Sequence, residues 1–427
     1  MEAARPQPAA GSSRQTSGRL RRRLLAAALV LLAALALGYL LLARLVLPGL
    51  VFLARYRAAQ AGVAPRAESV QVQPVRIPAV VQDAPAGRAL RARLYLPPGR
   101  PPRRAVLFVH GLHAAGIDEP RLITLARLLA QSGYAVLTPE FPDLVAFELG
   151  ARTVEEIERA ARWLLAQPEL SAQPPLAGAA AAGPPAGRAP APAGTVLHPP
   201  PGDAAASSRI GAMGVSFGGG LMLSAVSRPG LRDRLHFAFA LGGHADLDAV
   251  IEYLCTGGTE PGEPLPPHVY AVAVLLRLLA ERCVPAPQVQ ALRGWLLAYL
   301  REGESEAVRA SARRLPEAAR RLAELCLQRR TSELGALLAS RRGELRSPQA
   351  LSPLRHPPPH CPVYLLHGSQ DNVIPPAESV RLAQRYREQG AEVHLLLSPL
   401  VVHAELQEQS WLEAIRLAAF WTSLLRR

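Results

Sequence analysis

Residues 210–220 read IGAMGVSFGGG, a short apolar run ending in Gly214-Val215-Ser216-Phe217-Gly218 and followed by Gly219 and Gly220. The pattern is G-x-S-x-G, placed where a strand gives way to a helix. Alone, in a chain with 33 glycines, the pentapeptide would describe any glycine-rich loop. Between a strand and a helix it has a mechanical meaning. Glycines at 214 and 218 let the backbone turn sharply, so the serine hydroxyl projects above the strand end while the next helix packs close behind it.

Working outward, short apolar segments alternate with helical periodicity, the arrangement that builds a mostly parallel, doubly wound α/β sheet. Residues 89–96 (ALRARLYL) alternate like a strand with one exposed face, whereas 105–109 (AVLFV) and 135–138 (AVLT) are continuously apolar, as central parallel strands are. The spacing predicts helices over 120–131, with Pro120 in the first turn, and over 154–167, with Glu155 and Glu156 favouring the positive end of the helix dipole. Further strands are expected at 210–215, 236–241, 363–367 and 392–397, with helices from Phe217, at 378–389 and at 405–426. Two stretches interrupt this series. Residues 173–207, rich in Pro, Ala and Gly, lack periodicity and are expected to be a disordered loop. Residues 246–352 regain helical periodicity in five segments and are expected to form an inserted helical cap.

A serine hydroxyl needs a base to take its proton and a carboxylate to orient that base. Asp371 lies in HGSQDNVIP after the strand at 363–367, and His403 lies in VVHAE after the strand at 392–397. Both sit at C-terminal strand edges, where catalytic groups gather in open α/β sheets. Asp246 in GGHAD is a rival acid. His110, His113 and His244 are candidates for lining a pocket, while His356 and His360 are expected in solvent and His367 as a structural residue of its turn.

These residues give the chain its resemblance to the α/β-hydrolase superfamily across most of residues 68–427. The G-x-S-x-G-G form and the H-G-x-x-D segment look closest to dienelactone-hydrolase-like and prolyl-oligopeptidase-like members. The resemblance implies a triad of Ser216, Asp371 and His403. It also implies that Val109-His110-Gly111-Leu112 is the oxyanion loop, with the backbone N–H groups of Leu112 and Phe217 facing the developing oxyanion. No metal or other cofactor is implied.

At the N-terminus, residues 24–43 (LLAAALVLLAALALGYLLLA) are uncharged and apolar over about the 20 residues that cross a bilayer as a helix. Six arginines precede the run and only Arg44, Arg55 and Arg57 follow closely, so the positive-inside bias predicts a single-pass signal anchor with a cytoplasmic N-terminus. The hydrolase-like domain is then expected outside the cytoplasm. The expected divisions are a basic tail over 1–23, the anchor over 24–43, a juxtamembrane linker over 44–67 and the hydrolase domain over 68–427. A cleaved signal peptide is the rival, although its apolar region normally runs about 7–15 residues. The second apolar stretch, 45–54, contains Pro48-Gly49, is too short to span and is expected to lie at the membrane interface.

The chain has 427 residues, with 49% hydrophobic and 19% charged, so it is large enough for a substantial core and too apolar for wholesale disorder. The formal charge is +14 with no lysine at all, and aromatic residues are only 5%. Thinly spread arginine without interleaved aromatics does not resemble a nucleic-acid surface. Cys255, Cys283, Cys326 and Cys361 lack CxxC spacing, which leaves no zinc signal and at most one disulfide. The expectation is a membrane-anchored serine hydrolase acting on a small-molecule ester or lipid-like substrate, of unknown oligomeric state. A peptidase, amidase or acyltransferase of the same fold and a catalytically silent tethered scaffold are the alternatives.

Overall fold

The computed structural model describes residues 13–62, 70–171, 208–258, 265–343, 347–402, 405–406 and 411–427. Residues 1–12 of the expected basic tail, the last part of the expected linker, the 173–207 loop and His403 lie outside the described residues.

Helix α1 runs unbroken over Ser13–Gln60, through Pro48. Its strands and helices then follow in the expected alternation: β1 Gln71–Ile77, β2 Leu90–Leu96, β3 Arg104–Val109, α2 Pro120–Gln131, β4 Tyr134–Pro139, α3 Ala151–Leu165, β5 Ile210–Val215, α4 Phe217–Val226 and β6 Leu235–Leu241. After the insertion come β7 Val363–Gly368, α11 Ala377–Glu388, β8 Val393–Ser398 and α12 Trp411–Leu425. The strands form one eight-stranded sheet ordered β1-β2-β4-β3-β5-β6-β7-β8. Pairing is antiparallel between β1, β2 and β4 and parallel from β4 through to β8. β4, β5 and β7 are almost wholly buried, which is why they read as continuous apolar runs. β1, not expected from the sequence, is an exposed edge, where Pro74 lacks no needed ladder donor.

Between β6 and β7 the insertion folds as α5 Leu247–Thr256, α6 Val269–Leu278, α7 Val289–Glu302, α8 Glu306–Ala312, α9 Glu317–Leu327 and α10 Thr331–Arg342. Its two stems are tied together. Ser352 Oγ accepts from Leu247 N and donates to Asp246, and Leu354 N donates to Ala245 O. All four cysteines are free thiols.

Two expectations are corrected at the ends. Residues 44–60, expected as a linker, continue the helix and bury Val46, Phe52 and Tyr56. Their partner is α12: Arg426 reaches Arg44 O, and Thr422 meets both Val46 and Gly49, so the two helices run antiparallel. The apolar stretch at 45–54 packs against α12, and the helix runs on through Pro48. The expected helical start at residue 405 is replaced by a two-residue ladder, Val401–Val402 against Glu405–Leu406. Helix α12 is described over Trp411–Leu425.

Candidate active site

Sheet register brings the functional loops to one edge. Val109 of β3 pairs with Gly214 of β5, Val215 with Leu241 of β6, Leu241 with Leu366 of β7, and Gly368 with Ser398 of β8. The loops that follow these strands therefore emerge side by side.

Ser216 occupies the turn into α4 with φ 54° and ψ −139°. A non-glycine residue at positive φ stores about 1–3 kcal/mol of strain, which the surroundings must offset. The Ser216 N–H donates to Leu241 O at 2.7 Å, and Gly219 N–H donates to Ser216 O at 2.8 Å. The glycines are needed for clearance. A Cβ at Gly214 would lie 2.7 Å from Gly218 O, and one at Gly218 would overlap His110 O. Phe217 begins α4, so its amide belongs to the orphan donors of a helix N-terminus, where the dipole also favours negative charge.

The peptide opposite Ser216 is held by His110. Phe141 N–H donates to His110 Nε2 at 3.0 Å, so that nitrogen is the acceptor and Nδ1 carries the proton. His110 Nδ1–H then donates to Gly111 O at 2.8 Å. In a trans peptide the carbonyl and the following N–H point opposite ways, so fixing Gly111 C=O fixes the direction of Leu112 N–H. Tyr270, on cap helix α6, donates its hydroxyl to Leu112 O at 2.7 Å and holds the next peptide too. Sequence reading missed Tyr270, which is 158 residues from its partner. His110 is fully buried, and burial lowers its pKa to about 4, so it is neutral at physiological pH. His113 accepts from Ala115 N at 3.2 Å, and burial lowers its pKa as well.

Asp371 is buried in the loop after β7. Its Oδ1 accepts from Val373 N–H at 2.9 Å and Ile374 N–H at 3.2 Å. Oδ2 lies toward Gly242, the residue after the carbonyl that receives Ser216 N–H, and 3.6 Å from His367 Nε2. His367 is structural, as expected, bonding Ser379 Oγ at 2.7 Å and Ile374 O at 2.9 Å. His403 itself is outside the described residues. The chain reaching it is not: a Cβ at Gly368 would overlap Val401 O and sit 3.6 Å from Asp371 Cβ. The strand leading to position 403 thus runs against the start of the Asp371 loop.

The rival acid Asp246 is engaged elsewhere. It caps α5 by accepting from Asp248 N at 3.1 Å, accepts from Ser352 and pairs with Arg355 at 3.2 Å. His244, expected at a pocket, is fully buried behind the elbow. Its Nε2 donates to Leu351 O at 2.7 Å, and its ring packs against Phe217 and fills the space beside Gly220. His360 is exposed, as expected, and pairs with Asp233 at 2.6 Å, whereas His356, also expected in solvent, is partly buried.

Two spaces flank the elbow. Ser216 lines a cavity of about 80 Å³ with His110, Leu112, His113, Leu122, Leu125, Leu241 and Tyr56. Phe217 lines another of about 690 Å³, walled by apolar side chains of α5, α6 and α7 with Arg277 and Arg293. Among the described residues, no group of three His, Cys, Asp or Glu side chains is arranged to hold a metal ion.

No family model matches the chain, and no curated protein matches it in sequence. Among solved structures it is similar to an acylaminoacyl peptidase of Pyrococcus horikoshii, at 13% identity and TM-score 0.43, covering 84% of this chain and 42% of that one. It is also similar to a thermostable esterase from Pseudomonas putida ECU1011, at 13% identity and TM-score 0.43, covering 86% of each chain. An esterase of Pyrobaculum calidifontis matches at 14% identity and TM-score 0.43, over 83% of this chain and 84% of that one. The chain thus spans 42% of the length of the peptidase it matches. Strand order β1-β2-β4-β3-β5-β6-β7-β8, a serine at positive φ between β5 and α4, and a helical insertion after β6 give this chain the α/β-hydrolase fold.

Proposed function

We propose that the protein is a membrane-anchored serine hydrolase that cleaves a carboxylic ester with a lipophilic part. The observation that carries this reading is the strained Ser216, set beside the two successive peptides that His110 and Tyr270 hold and one loop away from the buried Asp371. In this reading Ser216 Oγ attacks the ester carbonyl while His403 takes its proton. The oxyanion accepts from Leu112 N–H and Phe217 N–H, each such donor contributing about 2.7–4 kcal/mol to the transition state. His403 returns the proton to the leaving alcohol, and the acyl group stays on Ser216. Water, deprotonated by His403, then releases the acid and restores the serine. Asp371 orients His403, with its own carboxylate held by two backbone N–H groups.

The two spaces favour an ester of unequal halves. The space beside Ser216, about 80 Å³, is much the smaller of the two and suits the shorter half. The 690 Å³ space under the cap suits the larger, lipophilic half. The anchor reading is supported by Leu29–Gln60, a helical stretch long and apolar enough to cross a membrane, whose most apolar window has mean hydropathy 2.4 and is 6% buried. In this reading the arginine-rich side is cytoplasmic and the hydrolase domain faces outward. The test uses full-length protein in detergent, wild type beside Ser216→Ala, with a fluorophosphonate probe, aryl esters and a proline amide. Labelling and ester turnover that vanish in Ser216→Ala are expected. Ester turnover surviving that substitution would sink the proposal, and amide turnover exceeding ester turnover would shift it to a peptidase.

A further inference from the structure

We propose that α1 is a wall of the ester pocket and that Tyr56 sets the size of the group admitted beside Ser216, an inference that rests on the hydrolase reading above. Tyr56 is 8% exposed and lines the same cavity as Ser216, Leu122, Leu125 and Leu241. The helix that anchors the chain therefore also reaches the reacting serine.

Tyr56 is held there by a dock that begins at Pro48. A proline in a helix has no N–H for the carbonyl four residues earlier, which here is Arg44 O. Arg426, just past the end of α12, donates its guanidinium to that carbonyl. One residue on, Gly49 allows contact between backbones: its N–H donates to Thr422 Oγ1 at 2.8 Å, and a Cβ there would overlap Ala418 O. Thr422 in turn donates its hydroxyl to Val46 O at 3.3 Å. Phe52 then stacks on Trp421 with ring centroids 4.7 Å apart. Tyr56 follows four residues later on the same face, about 6 Å along the axis. A helix pinned at Arg44, Gly49 and Phe52 cannot slide or rotate without moving Tyr56. The Pro-Gly pair, which weakens an isolated helix, is thus what seats α1 on the domain.

The inference is tested on the full-length protein in detergent micelles, with aryl esters of rising acyl length and a small fluorophosphonate probe. Tyr56→Ala is expected to move the chain-length optimum upward, with about a fourfold gain in kcat/KM for each methylene newly admitted. Tyr56→Trp should move it downward, chiefly through KM. Tyr56→Phe keeps the ring and should keep the wild-type optimum. Gly49→Leu withdraws the whole helix from Ala418 and should follow Tyr56→Ala. Circular dichroism and a cooperative thermal melt identify the folded variants, and the Phe and Trp pair decides the matter if the other two do not fold. An identical optimum in every folded variant overturns the role of Tyr56 while leaving the serine hydrolase intact. A wild-type protein that neither labels nor turns over ester overturns the hydrolase reading itself, and the inference with it.

Discussion

Replacing His110 with leucine separates the architecture of the 109–112 loop from the oxyanion chemistry proposed for it. Leucine fills similar space, so the expected loss comes from hydrogen bonds and not from a cavity. Two bonds disappear: Phe141 N–H to Nε2 at 3.0 Å, and Nδ1–H to Gly111 O at 2.8 Å. Phe141 is fully buried, so its N–H has no water to turn to. A buried donor left unsatisfied costs about 1–3 kcal/mol, so the orphaned Phe141 N–H predicts a loss of about 1–3 kcal/mol of unfolding free energy, to which the half-buried Gly111 O adds little. The kinetic effect has a different origin. Once Gly111 C=O is free to rotate, Leu112 N–H no longer points one way, and losing one oxyanion donor lowers kcat by about 10²–10³. Urea unfolding measures the first effect and pre-steady-state acylation by an aryl ester the second, while KM should change little. A stability loss below about 1 kcal/mol together with an unchanged acylation rate would refute the role given to His110.

Three further outcomes are expected. Below pH 6.5 the unfolded chain takes up protons that the buried, neutral His110 and His244 refuse until about pH 4, so native stability is full above pH 6.5 and falls as the pH drops toward 4. Each histidine contributes about 3 kcal/mol to that fall, and His110→Leu should flatten the urea-unfolding profile by its own share; equal slopes in both proteins would contradict it. Gly218→Ala places a methyl group into His110 O and should abolish soluble expression or labelling; a well-folded, active variant would show that the loop can retreat. Tyr270→Phe removes the cap's hydrogen bond to Leu112 O and should lower kcat several-fold with about 1 kcal/mol lost in stability, measured by steady-state kinetics and thermal melts; unchanged kcat would detach the cap from the oxyanion loop.

What could be read from the sequence was what local physics determines. The elbow was readable because glycines at 214 and 218 have no other economical explanation between an apolar strand and a helix. Asp371 was readable because it follows a run, 363–367, too apolar to be anything but a central strand. The hold of Tyr270 on Leu112 was not readable, since a hydroxyl and a carbonyl 158 residues apart leave no periodic trace. Nor was the docking of α1. Its buried residues, Val46, Gly49, Phe52 and Tyr56, recur at helical spacing, but exposed Leu45, Leu47, Leu50 and Val51 surround them and conceal the stripe. In that setting Pro48-Gly49 gave no sign of a dock, because the donor to the freed Arg44 carbonyl and the helix that Gly49 admits come from the far end of the chain. β1 escaped notice for the opposite reason, being an edge strand exposed along most of its length.

The crossing of α1 and α12 also sets an order of events in biosynthesis. Phe52 leaves the ribosome some 359 residues before Trp411, the first residue of the helix it needs, which at about 5–20 residues per second is an interval of roughly 20–70 s. During that interval the nascent chain presents Val46, Phe52 and Tyr56 without their partner. The eight strands can meanwhile pair, because β8 ends at Ser398. The side of the serine pocket formed by Tyr56 closes only when α12 arrives, so a stalled chain ending after β8 would carry Ser216 and Asp371 in a site still open on one side.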